Sequence, residues 1–430
     1  MSCSHSSPVP SLPGDPKDPS ILHPVRPGSA VPHASVDGSD HSEFLQSVRG
    51  DVSSIAASRL GRLRVACADD GIDAFLVRDT SNIAWLTAFD GVFDEEDAHA
   101  LLVTSDGAAL HTDSRYAEAA RAAAARESVV VVDSSRCAHA AFAATALFGA
   151  CAPSAKETLQ RWALGIEDSI ALAEYRRLEA AFADDGARCE LRETSGFVRR
   201  LRAVKEPSEI ARLRAAQAIT DAAFSHIVAF MRPGLSEREV QIELEDFMRR
   251  RGADGLAFPS IVASGANAAS PHAVPGDTKL EAGQCVVLDF GARAHGYCSD
   301  MTRTVFLGEP SERMRAAYEA IRAANERVEA QLRPGVTGKE AHELAEAVLA
   351  EHGFGGAMGH SLGHGVGIDI HEEPNLSPRN DEPLAVGNVV TVEPGVYLPG
   401  EFGMRLEDFG VVVEGGFEVF TRSTHDMVVL

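Results

Sequence analysis

Asp289, Asp300, His364, Glu393 and Glu407 are four carboxylates and one imidazole. Each lies in a strand-like apolar run or beside a glycine-rich turn: VVLDFGA, GYCSDMTRTV, HSLGHGVG, VVTVEPGVY and MRLEDFGVVV. An ionisable side chain in such a setting costs several kcal/mol unless it is paired or bound to a cation. Together the five make sense as the cage of a dinuclear metal site, in which two dications neutralise the acids and carboxylates bridge them. The donor set is rich in oxygen, holds one imidazole and lacks thiolate. That favours manganese or cobalt, then zinc or iron.

The elements expected to carry these residues repeat. RPGLSEREVQIELEDFMRRRG from Arg232 and RPGVTGKEAHELAEAVLAEHG from Arg333 align without a gap, pairing Ser236 with Thr337, Glu239 with Glu340 and Gly252 with Gly353. Each copy reads as a Pro-Gly turn, a capping box, a helix and a terminating glycine. Downstream, LEAGQCVVLDFG aligns with LAVGNVVTVEPG, so Asp289 pairs with Glu393, and Asp300 and Glu407 fall in the next strand of each copy. A helix and a ligand-bearing hairpin, used twice, predict a pseudo-two-fold site with two carboxylates from each half.

The arrangement resembles the "pita-bread" metallopeptidases of the M24 type: aminopeptidase P, prolidase and methionine aminopeptidase, with creatinase as a relative without metal. The family order is Asp, Asp, His, Glu, Glu, and Asp289 and Asp300 have the family spacing. The Xaa-Pro peptidases add histidines around the ligand His, matched by His360 and His371 in GHSLGHGVGIDIHEEP. They also have an upstream histidine, matched by His272 in ASGANAASPHAVPGD, and an arginine before the last Glu, matched by Arg405 in MRLED. NIAWLTAFDG and TDSRYAEAA resemble the creatinase-type N-terminal domain, which methionine aminopeptidases lack.

The resemblance implies an α/β (α+β) fold: a creatinase-like N-terminal domain and a pita-bread catalytic domain. It also implies an Xaa-Pro aminopeptidase acting on small peptides with proline second, with an Xaa-Pro dipeptidase as the alternative. A silent scaffold of the same fold and a creatinase-type hydrolase are weaker readings, because all five ligands are present. Two close ions would make hydroxide available near neutral pH to attack the peptide carbonyl, while one of them holds the substrate amine. Glu393 is the expected proton acceptor. His272 and His371 are expected to face the substrate, Arg405 to support a ligand carboxylate, and His360 to orient ligands or shape the wall. Family members are often dimers or tetramers, so a homodimer or homotetramer is expected.

Composition bounds the rest. The chain has 430 residues, 45% of them hydrophobic, enough for two cores. Its net charge of −23 argues against nucleic acid or an anionic membrane as main partner. Seven cysteines without CxxC spacing read as reduced thiols, and the absence of a long apolar run or signal-peptide core points to the cytoplasm. Residues 1–49 hold eight of the 21 prolines and read as a disordered leader or an over-extended reading frame, whose four histidines belong to a solvated tail. Residues 52–198 are expected to form the N-terminal domain and 199–430 the catalytic domain. The first should contain a helix near 55–69, strands at 73–78, 128–133 and 163–168, a hairpin over 100–113 and a helix at 116–126. Glu206-Pro207 should open a long helix. The apolar residues Trp85, Phe89 and Phe93 could lie at an interface or the substrate mouth, with core packing the favoured reading.

Overall fold

The computed structural model describes residues 52–94, 96–127, 129–148, 162–183 and 189–430. Residues 1–49, Cys3 among them, lie outside the described residues, as does Cys151, and so does the reading of residues 1–49 as a leader.

The N-terminal half is built on a six-stranded mixed sheet. Its spatial order is Val131–Asp133, Ala108–Thr112, His99–Thr104, Ala74–Val77, Trp162–Glu167 and Cys189–Thr194. Every residue of the central strand Ala74–Val77 is buried. Successive side chains on a strand point to opposite faces. Phe75 and Val77 accordingly enter one core with Leu60, Trp85 and Phe197, while Ala74 and Leu76 enter another with Phe142 and Leu178. The helix Val52–Asp69 and the hairpin His99–Thr104/Ala108–Thr112 occupy the segments expected of them. Trp85 and Phe89 are core residues: Trp85 is wholly buried and its Nε1 donates to Glu209 Oε1 at 3.0 Å.

The C-terminal half shows the repeat in its hydrogen bonds. Helices Glu237–Arg250 and Gly338–Glu351 both open on complete capping boxes, Ser236 with Glu239 and Thr337 with Glu340. Such caps contribute about 1 kcal/mol each. The turns before them are tied alike, Gly234 N to Leu280 O and Gly335 N to Leu384 O, both at 2.9 Å. Gly283 and Gly387, aligned in sequence, have φ of 87° and 89°, which favours glycine at both turns.

Each copy then runs out along one strand and back along another. In the first, Cys285–Phe290 pairs with Met301–Phe306; in the second, Val389–Val392 pairs with Asp408–Val413. One acid lies at or just past the end of each outgoing strand, Asp289 and Glu393. The other lies just before each returning strand, Asp300 and Glu407. The copies meet where Glu407 N donates to Thr302 O at 3.1 Å. Among the described residues, no helix is long and apolar enough to cross a membrane.

Candidate metal centre and peptide cavity

Ligand-capable atoms of Asp300, His364 and Glu407 lie within 4.8 Å of one another. His364 Nε2 is 3.5 Å from Asp300 Oδ2 and 3.6 Å from Glu393 Oε1. Asp289 Oδ2 accepts from Arg405 Nη2. The structure thus brings all five predicted ligands to one cavity of about 570 Å³, which His272, His360, His371 and Arg405 also line.

The local chain fixes these groups. His364 sits in the short strand Gly363–Gly365, its Nδ1 3.0 Å from Gly365 O. That bond places the ring proton on Nδ1 and leaves the Nε2 lone pair facing the acids. The His364 amide donates to Thr391 Oγ1 at 3.0 Å, and that hydroxyl lies 3.4 Å from Glu393 Oε1. Arg405 is held on three sides: Nε donates to Thr302 Oγ1 (2.9 Å), Nη1 to the Tyr397 hydroxyl (2.7 Å) and Nη2 to Asp289. The Thr302 hydroxyl donates in turn to Glu407 Oε2 at 2.6 Å. His360 Nε2 is 3.1 Å from the Tyr397 hydroxyl and its Nδ1 is 2.7 Å from Ser361 O, so His360 reaches Asp289 through Tyr397 and Arg405. His371 packs edge-on against His364 with ring centroids 4.4 Å apart. His272 is exposed at the cavity mouth.

Tyr397, Thr302 and Thr391 were absent from the sequence expectations. The threonines had a signal: each lies two positions from a ligand, Asp300 or Glu393, and so on the same strand face. Tyr397 had none, since Arg405 reaches it through the return of the hairpin Gly395–Leu398/Phe402–Arg405 and His360 comes from a separate segment.

The electrostatics show an uncompensated cluster. Burial raises Asp300 well above the usual carboxylate range, reinforced by Glu407, Asp289 and Glu393. Burial does the same to Glu407, with Glu393 and Asp289 adding repulsion. Glu393 is pushed up to about 8 by burial, which outweighs Arg405. Asp289 is raised by burial despite its bond to Arg405, and its Oδ1 is buried with no partner. Burial lowers His364 and His360 to about 4, so both are neutral near pH 7. Four carboxylates, one guanidinium, an orphaned carboxylate oxygen and a free imidazole nitrogen fit divalent cations.

Residues 211–414 match the model of metallopeptidase family M24, and residues 59–204 that of the creatinase/prolidase N-terminal domain. A Bacillus subtilis protein named as an uncharacterized peptidase is 37% identical over 376 residues, covering 86% of this chain and 100% of its own length. The Xaa-Pro dipeptidase of Pyrococcus furiosus is 36% identical over 265 residues, covering 62% of this chain and 75% of that protein. Among solved structures, the Xaa-Pro dipeptidase from Bacillus anthracis superposes with a TM-score of 0.78 at 38% identity, covering 87% of this chain and 100% of that one. The X-Pro aminopeptidase of Thermotoga maritima superposes with a TM-score of 0.73 at 34% identity, covering 84% and 98%.

Proposed function

Because this chain belongs to metallopeptidase family M24 and carries a creatinase/prolidase N-terminal domain, we propose that it is an Xaa-Pro aminopeptidase. It would hydrolyse the bond between the first residue of a peptide and a following proline. The observation that carries this reading is the buried cluster of four carboxylates faced by His364 Nε2, with Arg405 the one arginine or lysine among the described residues lining the cavity.

Asp289, Asp300, His364, Glu393 and Glu407 would hold two divalent metal ions, manganese first by donor chemistry, then cobalt, zinc or iron. Bound there, such ions supply Lewis-acid activation of water and of the scissile carbonyl. The chain's own residues do the rest. Glu393 takes a proton from the attacking water and delivers it to the departing proline nitrogen. His371, lowered by burial and by His272, is a neutral imidazole whose N–H can donate to the carbonyl oxygen as it gains charge. His272 offers a second donor from the mouth. Arg405 fixes the carboxylate of Asp289, and Tyr397 with His360 fixes Arg405. Phe258, Pro259, Ile261, Pro271 and Ile370 give the cavity an apolar wall suited to a pyrrolidine ring.

Among the described residues lining this cavity, Arg405 is the only lysine or arginine, and its three nitrogens are engaged. The carboxylate of an Xaa-Pro dipeptide therefore meets no free guanidinium or ammonium, which favours longer peptides. The dipeptidase reading draws on the names of the Bacillus anthracis and Pyrococcus relatives. Mass spectrometry of Ala-Pro and Ala-Pro-Ala with manganese-loaded and chelated protein separates the two. Pro-Ala released from the tripeptide at a rate equal to or above dipeptide cleavage is expected. Cleavage of the dipeptide alone would make the protein a prolidase, and cleavage of neither would sink both readings.

A further inference from the structure

His371 ends a strap, residues 366–371, that begins beside the ligand His364. One side of the strap, Ile370 and His371, faces the peptide cavity. The other, Ile368 and Asp369, faces a separate cavity of about 800 Å³ lined also by Ser81, Phe89 and Arg293. Val366 anchors the strap in the core, Cys298 N and Arg293 Nη1 hold the carbonyls of Gly367 and Ile368, and Asp369 is placed by polar side-chain ties.

Those ties converge on Arg202, which is 2% exposed. Its Nη2 donates to Asp369 Oδ2 at 2.8 Å and to Glu372 Oε1, while Nη1 donates to Asn82 Oδ1 at 2.7 Å. Lys205 Nζ holds the other oxygen of Glu372 at 2.8 Å. Asp369 N donates to Glu372 Oε1 at 3.0 Å, closing the strap on itself, and Ser81 Oγ donates to Asp369 Oδ1 at 2.5 Å. The fit leaves no slack at Gly367, where a Cβ would fall 2.4 Å from the Glu372 carboxylate. Asn82 and Ser81 belong to the N-terminal half, Glu372 directly follows His371, and Arg202 spans both. A planar guanidinium holding two carboxylates and an amide oxygen imposes direction as well as attraction.

We propose that Arg202 is a positioning residue for peptide-bond cleavage: through Glu372 and Asp369 it sets the strap that presents His371 to the substrate, and through Asn82 it makes that setting depend on the docked N-terminal half. The proposal rests on the peptidase reading above. A misplacement of about 1 Å in a group that acts on the reacting atoms can cost on the order of 10²-fold in rate. Arg202→Lys keeps the charge and loses the fork, so kcat on Ala-Pro-Ala should fall about tenfold with KM and metal content unchanged. Arg202→Gln should fall further.

The deciding measurement is a double-mutant cycle with His371→Ala. If Arg202 acts through His371, Arg202→Lys has little further effect on kcat in the His371→Ala background. An equal loss in both backgrounds overturns the proposal. If Arg202→Gln does not fold, Arg202→Lys carries the test alone. A second readout needs no substrate: the His371 imidazole resonances of the manganese-free, zinc-loaded protein, assigned by their loss in His371→Ala, should shift in Arg202→Lys while those of His425 stay in place. Unmoved His371 resonances overturn the proposal. Failure of wild-type protein to cleave either peptide would instead tell against the peptidase reading and leave this readout standing.

Discussion

Glu393 and Glu372 are both largely buried carboxylates of the catalytic half, yet burial pushes the first up to about 8 while the second is held at about 2. For Glu372 burial acts upward as well, but Arg202 and Lys205 outweigh it. For Glu393 the guanidinium of Arg405 is shared with Asp289, Asp300 and Glu407. One cluster carries its own counter-charges; the other is built to receive them. Burial and acidity alike do not distinguish a structural ion pair from a metal cage. The ratio of cations to anions does.

The largest effect expected from this contrast is on activity. Asp300→Ala or Glu407→Ala should abolish tight metal binding. Lewis-acid activation contributes several kcal/mol, so at 1.36 kcal/mol per decade kcat should fall by on the order of 10³-fold or more. Metal analysis of the dialysed variants beside peptide turnover checks this; a variant retaining both metals and rate would break the contrast.

The next test reads stability. Glu372→Gln should destabilise the protein by about 3–5 kcal/mol, the cost of leaving one side of a buried pair uncompensated. Glu393→Gln should do the reverse in chelated protein near pH 8, stabilising it by on the order of 2 kcal/mol, since a raised pKa is a measure of strain relieved on losing the charge. Urea midpoints in the presence of a chelator decide both. Destabilisation by both substitutions would show that the ligand cluster has counter-charges of its own.

Much of this contrast was legible in the sequence on one side only. Asp289, Asp300, Glu393 and Glu407 could be picked out because strand patterns surround them and because the two copies align. The capping boxes at Ser236 and Thr337 follow from local spacing, and so does the hairpin through Gly107. Arg202, Asn82 and Glu372 could not be assembled in this way. Their partners lie 120 and 170 positions apart, and an arginine in RRLRAVKEP looks like any solvated helix residue. The helices Thr80–Thr87, His139–Phe148 and Leu172–Ala183 were also missed. Their apolar residues face sheet surfaces that only the assembled N-terminal half creates.

The two clusters also predict opposite slopes of stability with pH. A carboxyl whose folded pKa is raised contributes stability that is fully present below its unfolded value, 4.5 for Glu393, and is lost as pH rises through about 8. Glu372, being depressed, contributes stability present above 4.5 and lost as pH falls towards 2. Chelated protein should therefore lose stability between pH 5 and 8, by up to about 1.4 kcal/mol per pH unit for each proton released. Excess manganese should flatten that slope, since ions bound only to the folded state add stability by mass action. A flat profile in chelator would mean the acids are not strained.

The smallest effects come from trimming one hydroxyl in each cluster. Thr302 accepts from Arg405 Nε and donates to Glu407 Oε2, so Thr302→Val removes two links between the guanidinium and a ligand while keeping shape and strand preference. Groups that orient metal ligands in this way are worth about 10–100-fold in affinity or activity. Metal affinity should weaken by roughly tenfold, the low end, because Arg405 keeps Asp289 and Tyr397. Ser81→Ala removes the hydroxyl that donates to Asp369, which retains Arg202. Its expected cost is about 1 kcal/mol of stability with metal affinity unchanged. Isothermal titration with manganese, run beside urea unfolding, reads both quantities for both variants. Weakened metal binding in Ser81→Ala would mean that the balanced cluster reaches the ligands by a route other than the strap.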